Sequence, residues 1–310
     1  MTMTWLAPDL RRIRADNPSA LTGSGTNSYL LGRGSVVLID PGPDLAPHFE
    51  AILAALEPQE RINAILVSHG HLDHSALARR LASHVGAPVI GAGPAQAGRS
   101  EVMRELAARG LATGAEGFDP AHDPDLLARD GDVLAFGALR VEVLATPGHT
   151  GCHLAFAHEG RLFSGDHVMG WSTSLVSPPD GDMADYMASL ERLARRPWHL
   201  ALPGHGEVVT DPASRIEALL THRRQREQAV LAALGEREAT IAELTGLIYA
   251  DTPRHLWPAA ERNLLAHLIK LWQEGRATAD PFPEPAAVFR RTFSPDISPD
   301  APLRPQNPLL

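Results

Sequence analysis

The chain has almost no cysteine and almost no lysine. Of its 310 residues one is Cys, Cys152, which excludes an intrachain disulfide framework and any four-cysteine zinc site. Lys occurs once, at Lys270, although Lys and Arg together number 28. That skew towards Arg, with abundant Ala, suggests a GC-rich bacterial genome. The Arg residues are scattered, and the formal charge of −9 argues against coating nucleic acid by bulk electrostatics. Long apolar runs are also missing. The longest stretch without a formal charge, Leu81 to Gly98, is broken by Pro88, Pro94 and several glycines, whereas a span needs about 20 mostly apolar residues. Asp9 and Asp16 interrupt the first 18 residues, so no signal-peptide core is visible. The expectation is a cytoplasmic protein with no membrane partner.

The 44% hydrophobic content supports a sizeable core, and by size about two domains are expected. Short apolar runs alternate with helical patterns over the first two-thirds. Strands are predicted at Ser35–Asp40, Ile62–Val67, Val133–Phe136, Leu139–Leu144, His153–Ala157, Leu162–Ser164 and Leu200–Leu202, with Val89–Ile90 a very short one. Helices are predicted at Pro47–Leu56 and around Ala184–Leu193. Closely spaced strands between 133 and 164 imply antiparallel hairpins. A sheet-on-sheet α/β core with helices outside fits better than a doubly wound parallel sheet. Neither G-x-G-x-x-G opening a helix nor a P-loop is present, so nucleotide binding loses its usual support.

From Asp211 the pattern turns helical. Thr240 and Glu243 form a capping-box signal ahead of Ile241, Leu244 and Ile248. Leu264, Leu268, Leu271 and Trp272 mark a longer helix ending at Gly275. Three helices and an extended piece, Arg276–Ala279, suggest a winged-helix-like domain. The expected division is a catalytic domain over 1–209, a helical domain over 210–280, and a Pro-rich tail over 281–310. The tail holds eight of the 26 prolines and reads as extended, packed on the surface or mobile.

The strongest chemical signal is Ser68-His69-Gly70-His71-Leu72-Asp73-His74, directly after a predicted strand. Residue frequencies alone would produce H-x-H-x-D-H about 0.002 times per chain. In an extended backbone positions i and i+2 point the same way, so His69 and His71 can converge on one metal. Asp73 and His74, where the loop turns into a helix, can reach a second. Imidazole and carboxylate suit ions such as zinc. Two metals need further ligands. His149, Asp166 and His205 share one setting: each follows a strand-like run and lies beside a glycine.

This ordered set resembles the metallo-β-lactamase-fold hydrolases over roughly residues 20 to 210. The resemblance implies an αββα sandwich with the site at one edge of the sheets. It implies that His69, His71 and His149 hold one metal, that Asp73, His74 and His205 hold the other, and that Asp166 bridges them. Two zinc ions are implied, with iron or manganese as alternatives. Gly25-Thr-Asn-Ser-Tyr-Leu-Leu-Gly32 and Leu38-Ile-Asp-Pro-Gly42 are similar to the opening of one branch. The helical region, with Ala259-Ala-Glu-Arg-Asn263, looks like the winged-helix module appended in that branch. Its members include β-lactamase-like proteins of unsettled substrate and some endoribonucleases.

Asp40 reads either as a group supporting the metal loop or as a turn cap. Asn27, Trp171 and Ser172 are candidates for supporting or substrate contacts. His167 is either a proton donor or substrate contact, or a packing residue. Cys152 reads as a small buried hydrophobe, and His153 and His158 as structural. The expected reaction is hydrolysis, with a hydroxide between two metals attacking an ester or thioester carbonyl and Asp73 orienting it. A small-molecule substrate is favoured over RNA, since residues 211–280 hold nine Lys/Arg against ten Asp/Glu. RNA phosphodiester cleavage and iron-dependent oxygenation on the same fold are the alternatives. The helical module could read nucleic acid, form a homodimer contact or wall the active site.

Overall fold

The structure is a computed structural model and describes residues 2–112, 114, 117–235 and 237–292. Two sheets form its centre. The first runs, in spatial order, β1 (Thr2–Ala7), β2 (Leu10–Arg14), β3 (Asn27–Arg33), β4 (Ser35–Ile39), β5 (Arg61–Leu66), β6 (Val89–Gly91) and β7 (Leu126–Leu127). Its first four strands are antiparallel neighbours, and β4 to β7 pair in parallel. The second contains β8 (Val133–Phe136), β9 (Leu139–Ala145), β10 (Leu154–His158), β11 (Arg161–Gly165) and β12 (Leu200–Pro203). Hairpins join β8 to β11, and β12 returns parallel to β11.

Successive side chains of a strand face opposite ways, and both faces here are covered. Leu31, Val37 and Ile39 face the other sheet and meet Val143, Phe156 and Phe163. Leu30, Val36 and Leu38 face outward, onto α1 (Ala46–Ala54) and α3 (Ala78–Val85) through Phe49, Ile52 and Leu81. On the far side, Ala155, Ala157 and Leu162 pack under α5 (Met183–Ala194) and α6 (Pro212–Leu234). The result is the expected αββα sandwich. Such two-sided burial is why Ser35–Ile39 reads as a continuous apolar run. Among the described residues no helix is long and apolar enough to cross a membrane.

Strands β1, β2 and β3 have no counterpart in the sequence reading. Arg11 and Arg12 break the apolar alternation of β2, yet both are buried. The Arg11 guanidinium reaches Glu60 and the carbonyl of Ala55, so its charge is compensated inside the fold. A polar residue at a core position hid the strand.

The C-terminal part consists of α6, α7 (Ile241–Ile248), α8 (Trp257–Gln273) and a small sheet of β13 (Ala239–Thr240), β14 (Ala277–Asp280) and β15 (Val288–Arg291). The Thr240–Glu243 capping box is present at α7. The reading of 281–310 as a tail needs correction. Strand β15 lies inside it and sits between β13 and β14. Phe289 on β15 is fully buried among Leu264, Leu268 and Ile241. Three prolines at 281, 283 and 285 masked a hairpin return. Residues 293–310 lie outside the described residues. The same cluster takes in Met103, Leu106 and Leu111 on and just after α4 (Glu101–Ala108), so the C-terminal part also packs on the sandwich.

Phe289→Ala should therefore destabilise the protein by about 3–5 kcal/mol, as for a large aromatic lost from a closed core. Urea unfolding measures it, and an unchanged midpoint would return this segment to the status of a tail.

Candidate metal centre and active site

The seven residues singled out in the sequence meet at one edge of the sandwich. His69 and His71 leave the end of β5 in extended backbone, and α2 (Leu72–Ser75) carries Asp73 and His74. His149 comes from the loop between β9 and β10, Asp166 from the residue after β11, and His205 from just beyond β12. Two glycines let the loops close. A Cβ on Gly204 would lie 2.5 Å from the His74 ring and 2.6 Å from Asp166 Oδ1. One on Gly70 would lie 2.6 Å from the Ala95 backbone.

Nε2 of His69 and Nε2 of His149 lie 2.9 and 3.1 Å from Nδ1 of His71. Nε2 of His74 lies 3.3 Å from Nε2 of His205, which is 3.2 Å from Asp73 Oδ2. Asp166 stands between these groups. Its Oδ1 is 3.4 Å from His74 Nε2, and its Oδ2 is 3.4 Å from His205 Nε2 and 3.7 Å from His149 Nε2. Ligands at about 2.0–2.1 Å from a tetrahedral zinc are separated by about 3.3 Å, so these spacings fit the edges of metal polyhedra.

The far side of four of the five rings supports the same reading. His74 donates its Nδ1 proton to Asp40 at 2.9 Å, and His149 donates to the carbonyl of Leu175 at 2.6 Å. His205 Nδ1 faces the carbonyl of Gly25 at 3.4 Å. His69 Nδ1 meets Ser68 Oγ at 3.0 Å, and that hydroxyl donates to Asp40 at 2.8 Å. A ring whose Nδ1–H is engaged presents a bare Nε2 lone pair. Four rings thus aim lone pairs at one small volume, which is the donor chemistry of a metal centre.

Burial sets the charges around the cluster. It holds His69 well below the usual imidazole range, helped by neighbouring imidazoles, and holds His71 at about 3. Burial also opposes charge on His74 and His205, but nearby carboxylates win. Asp73, Asp166 and Asp40 keep His74 well above its ordinary value, and Asp166 and Asp73 hold His205 at about 9. A cation entering that half must displace protons.

Asp40 belongs with this centre. Besides His74 and Ser68 Oγ, it accepts the Ser68 backbone N–H at 2.7 Å. Its φ of 49° lies in the left-handed region, unusual for a residue with a side chain. Asn27 lies further out. Its amide donates to the carbonyls of Pro203 and Gly206, which fixes the loop bearing His205. Trp171 and Ser172 line the cavity over the cluster.

His167 does not reach the cavity. It is fully buried, its ring 4.6 Å from that of Tyr186, and burial holds its pKa at about 3. The packing alternative holds, because the chain turns after Asp166 and sends the next side chain inward. Cys152 is buried against the carbonyl of Ala95. His153 is structural but close: its Nε2 accepts the Asp166 backbone N–H. The sequence reading missed Thr26, whose hydroxyl donates to Asp73 at 3.2 Å, and the wall residues Leu21, Leu72, Met169 and Leu175. Apolar loop residues carry no chemical pattern to reveal them.

The sequence model of the metallo-beta-lactamase superfamily matches residues 21–205. This chain belongs to that superfamily. A model for a beta-lactamase associated winged helix domain matches residues 240–281. A beta-lactamase-like protein 2 homolog of Drosophila melanogaster is 35% identical over 291 residues, 88% of this chain and 91% of that protein. An atrochrysone carboxyl ACP thioesterase of Aspergillus fumigatus is 31% identical over 80% of this chain and 76% of that one. A metallo-beta-lactamase family protein from Thermus thermophilus superposes with a TM-score of 0.73 at 29% identity. That match covers 93% of this chain and all of that one. With its His/Asp cluster, this superfamily member is a metal-dependent hydrolase.

Asp40→Asn tolerates the left-handed backbone but loses the carboxylate charge. It should weaken zinc binding about 10- to 100-fold, read by competition with a chromogenic chelator. Wild-type affinity would assign Asp40 to the turn alone.

Proposed function

We propose that this hydrolase uses two zinc ions to cleave the ester or thioester bond of a small substrate with an apolar acyl part. The cavity beside the cluster carries the reading. It encloses about 290 Å³ and is walled by Leu21, Leu72, Met169, Trp171 and Leu175, with Ser and Thr groups between them. Among the described residues no Lys or Arg lines it. Phosphodiester backbones are bound chiefly through such cations, whereas an acyl chain needs the apolar wall that is present. Among the described residues no Lys or Arg lines the nearby groove beyond Trp171 either. The relative named as an ACP thioesterase supports the same chemistry.

His69, His71 and His149 would hold one ion, Asp73, His74 and His205 the other, and Asp166 both, one oxygen towards His74 and the other towards His149. Bound there, the ions would supply Lewis acidity and a nucleophile from water at neutral pH. The chain's own residues do the rest. Asp73, kept ionised by His74 and His205 against its burial, lines the cavity floor with a carboxylate that can orient water and accept a proton. Thr26 fixes that carboxylate. Trp171 and Leu72, at 48% and 44% exposure, form an open apolar mouth that can cover an acyl chain and exclude water.

The discriminating measurement is kcat/KM of the dizinc protein across acyl thioesters, lactones, β-lactams, a phosphodiester and RNA. Esters or thioesters should lead, and RNA as the best substrate would overturn the proposal. Metal analysis of protein purified without added metal should find zinc; one iron per chain with oxygen uptake would mean an oxygenase. Asp166→Ala should lower turnover by more than about 100-fold, exceeding the loss from any outer partner, with the fold retained by circular dichroism.

A further inference from the structure

The wall of the cavity opposite α2 is a loop, residues 169–178, without regular secondary structure. Backbone polar groups in the buried part of such a stretch must find partners. Here the C-terminal helices supply them. Arg215 on α6 donates to the carbonyls of Met169 and Ser172, each at 2.6 Å. Arg223, two turns further along α6, donates to the carbonyl of Ser174. Asn263 on α8 accepts the Val176 N–H at 3.0 Å and an Arg223 N–H at 3.3 Å. Arg262 donates to Ser177 Oγ and to the carbonyl of Pro178.

One member of this set is expensive. Arg223 is 1% exposed, and among the described residues it forms no ion pair. Its partners are a carbonyl, an amide oxygen and the face of Tyr186 at 5.1 Å. A buried cation so placed is poor value for stability alone, since an apolar residue would pack without desolvation loss. The loop explains its presence. Between Ser174 and Val176, the two points held by Arg223 and Asn263, lies Leu175. Its side chain lines the cavity and its carbonyl receives the His149 Nδ1 proton.

We propose that Arg223 and Asn263 are positioning residues: the C-terminal helices brace loop 169–178 and thereby orient His149 and the cavity wall. The appended part then acts on the active site of its own chain. This rests on His149 being a metal ligand. It needs no nucleic acid and no second copy.

Cation affinity and geometry test it, read with cobalt(II) and zinc(II) in chelator competition and in the cobalt absorption spectrum. Asn263→Leu removes the acceptor, and Arg223→Met removes the donors. Each should weaken cation binding at the His69–His71–His149 site about 10-fold, as outer partners of metal-bound imidazoles do, and change the cobalt spectrum. Asn263→Asp keeps the acceptor and should restore both. Glu227→Gln is the control. Glu227 is buried at the same α6–α8 junction, bonded to Lys270 and Arg276, but does not touch the loop. It should lower the melting temperature and leave cation affinity unchanged. Should Arg223→Met fail to fold, Asn263→Leu and the half-buried Arg215→Met carry the test, the latter through a raised KM for an apolar ester.

Folded Asn263→Leu with wild-type affinity and spectrum would overturn the proposal. So would equal losses in Glu227→Gln, which would mean general destabilisation. If the wild-type protein binds neither cation, the reading of the centre itself fails.

Discussion

Five imidazoles and two carboxylates are crowded into a buried space where their donor atoms converge. Bare acceptors in such proximity repel one another and have lost their water. Only a rigid surround can hold them, and the fold supplies one. Each of the contributing loops leaves the end of a strand of the sandwich, and β4, β11 and β12 are buried along most of their length. Asp40, on the loop after β4, ties together the Ser68 backbone, the Ser68 hydroxyl and His74. A single carboxylate thus fixes the direction of two rings, one from each half of the centre. Its left-handed backbone is tolerated because three bonds over-determine it.

The cluster and the cavity divide the labour of recognition. The ionisable groups that could activate water are concentrated on the cavity floor, and the walls are apolar. Cationic side chains close to the cavity point away from it. Arg215 and Arg223 spend their donors on loop carbonyls, and Arg12 and Arg14 pair with Glu207. An Arg-rich chain therefore presents little free positive charge at this mouth. Net charge describes solubility and long-range attraction; specificity is decided by where each guanidinium is committed.

The chemistry was legible in the sequence because metal ligation demands particular residue types at fixed spacing. His69, His71, Asp73 and His74 announce themselves, and the shared strand–glycine setting found the three distant partners. The sandwich was legible because strands buried on both faces read as apolar runs. The failures have physical reasons too. Strand β2 was hidden by Arg11, a core residue whose charge is cancelled by Glu60, far away in sequence. Strand β15 was hidden by prolines that shape the turn before it. His167 could be read two ways, since its rotation about the chain after Asp166 depends on packing by Tyr186. The support of His149 comes from a main-chain carbonyl, which every residue possesses and no pattern records.

The small C-terminal sheet has β15, the last strand of the described chain, wedged between two that precede it. Its core also includes side chains from α4, some 180 positions earlier. During synthesis the sandwich strands can pair as they emerge, but this junction must wait until residue 291 has left the ribosome. Until the C-terminal helices have emerged, Met103 and Leu106 lack their partners in that core, an exposed apolar surface of the kind that invites association. Translation thus sets a clock on the molecule: the helix α4 is made early and sealed late.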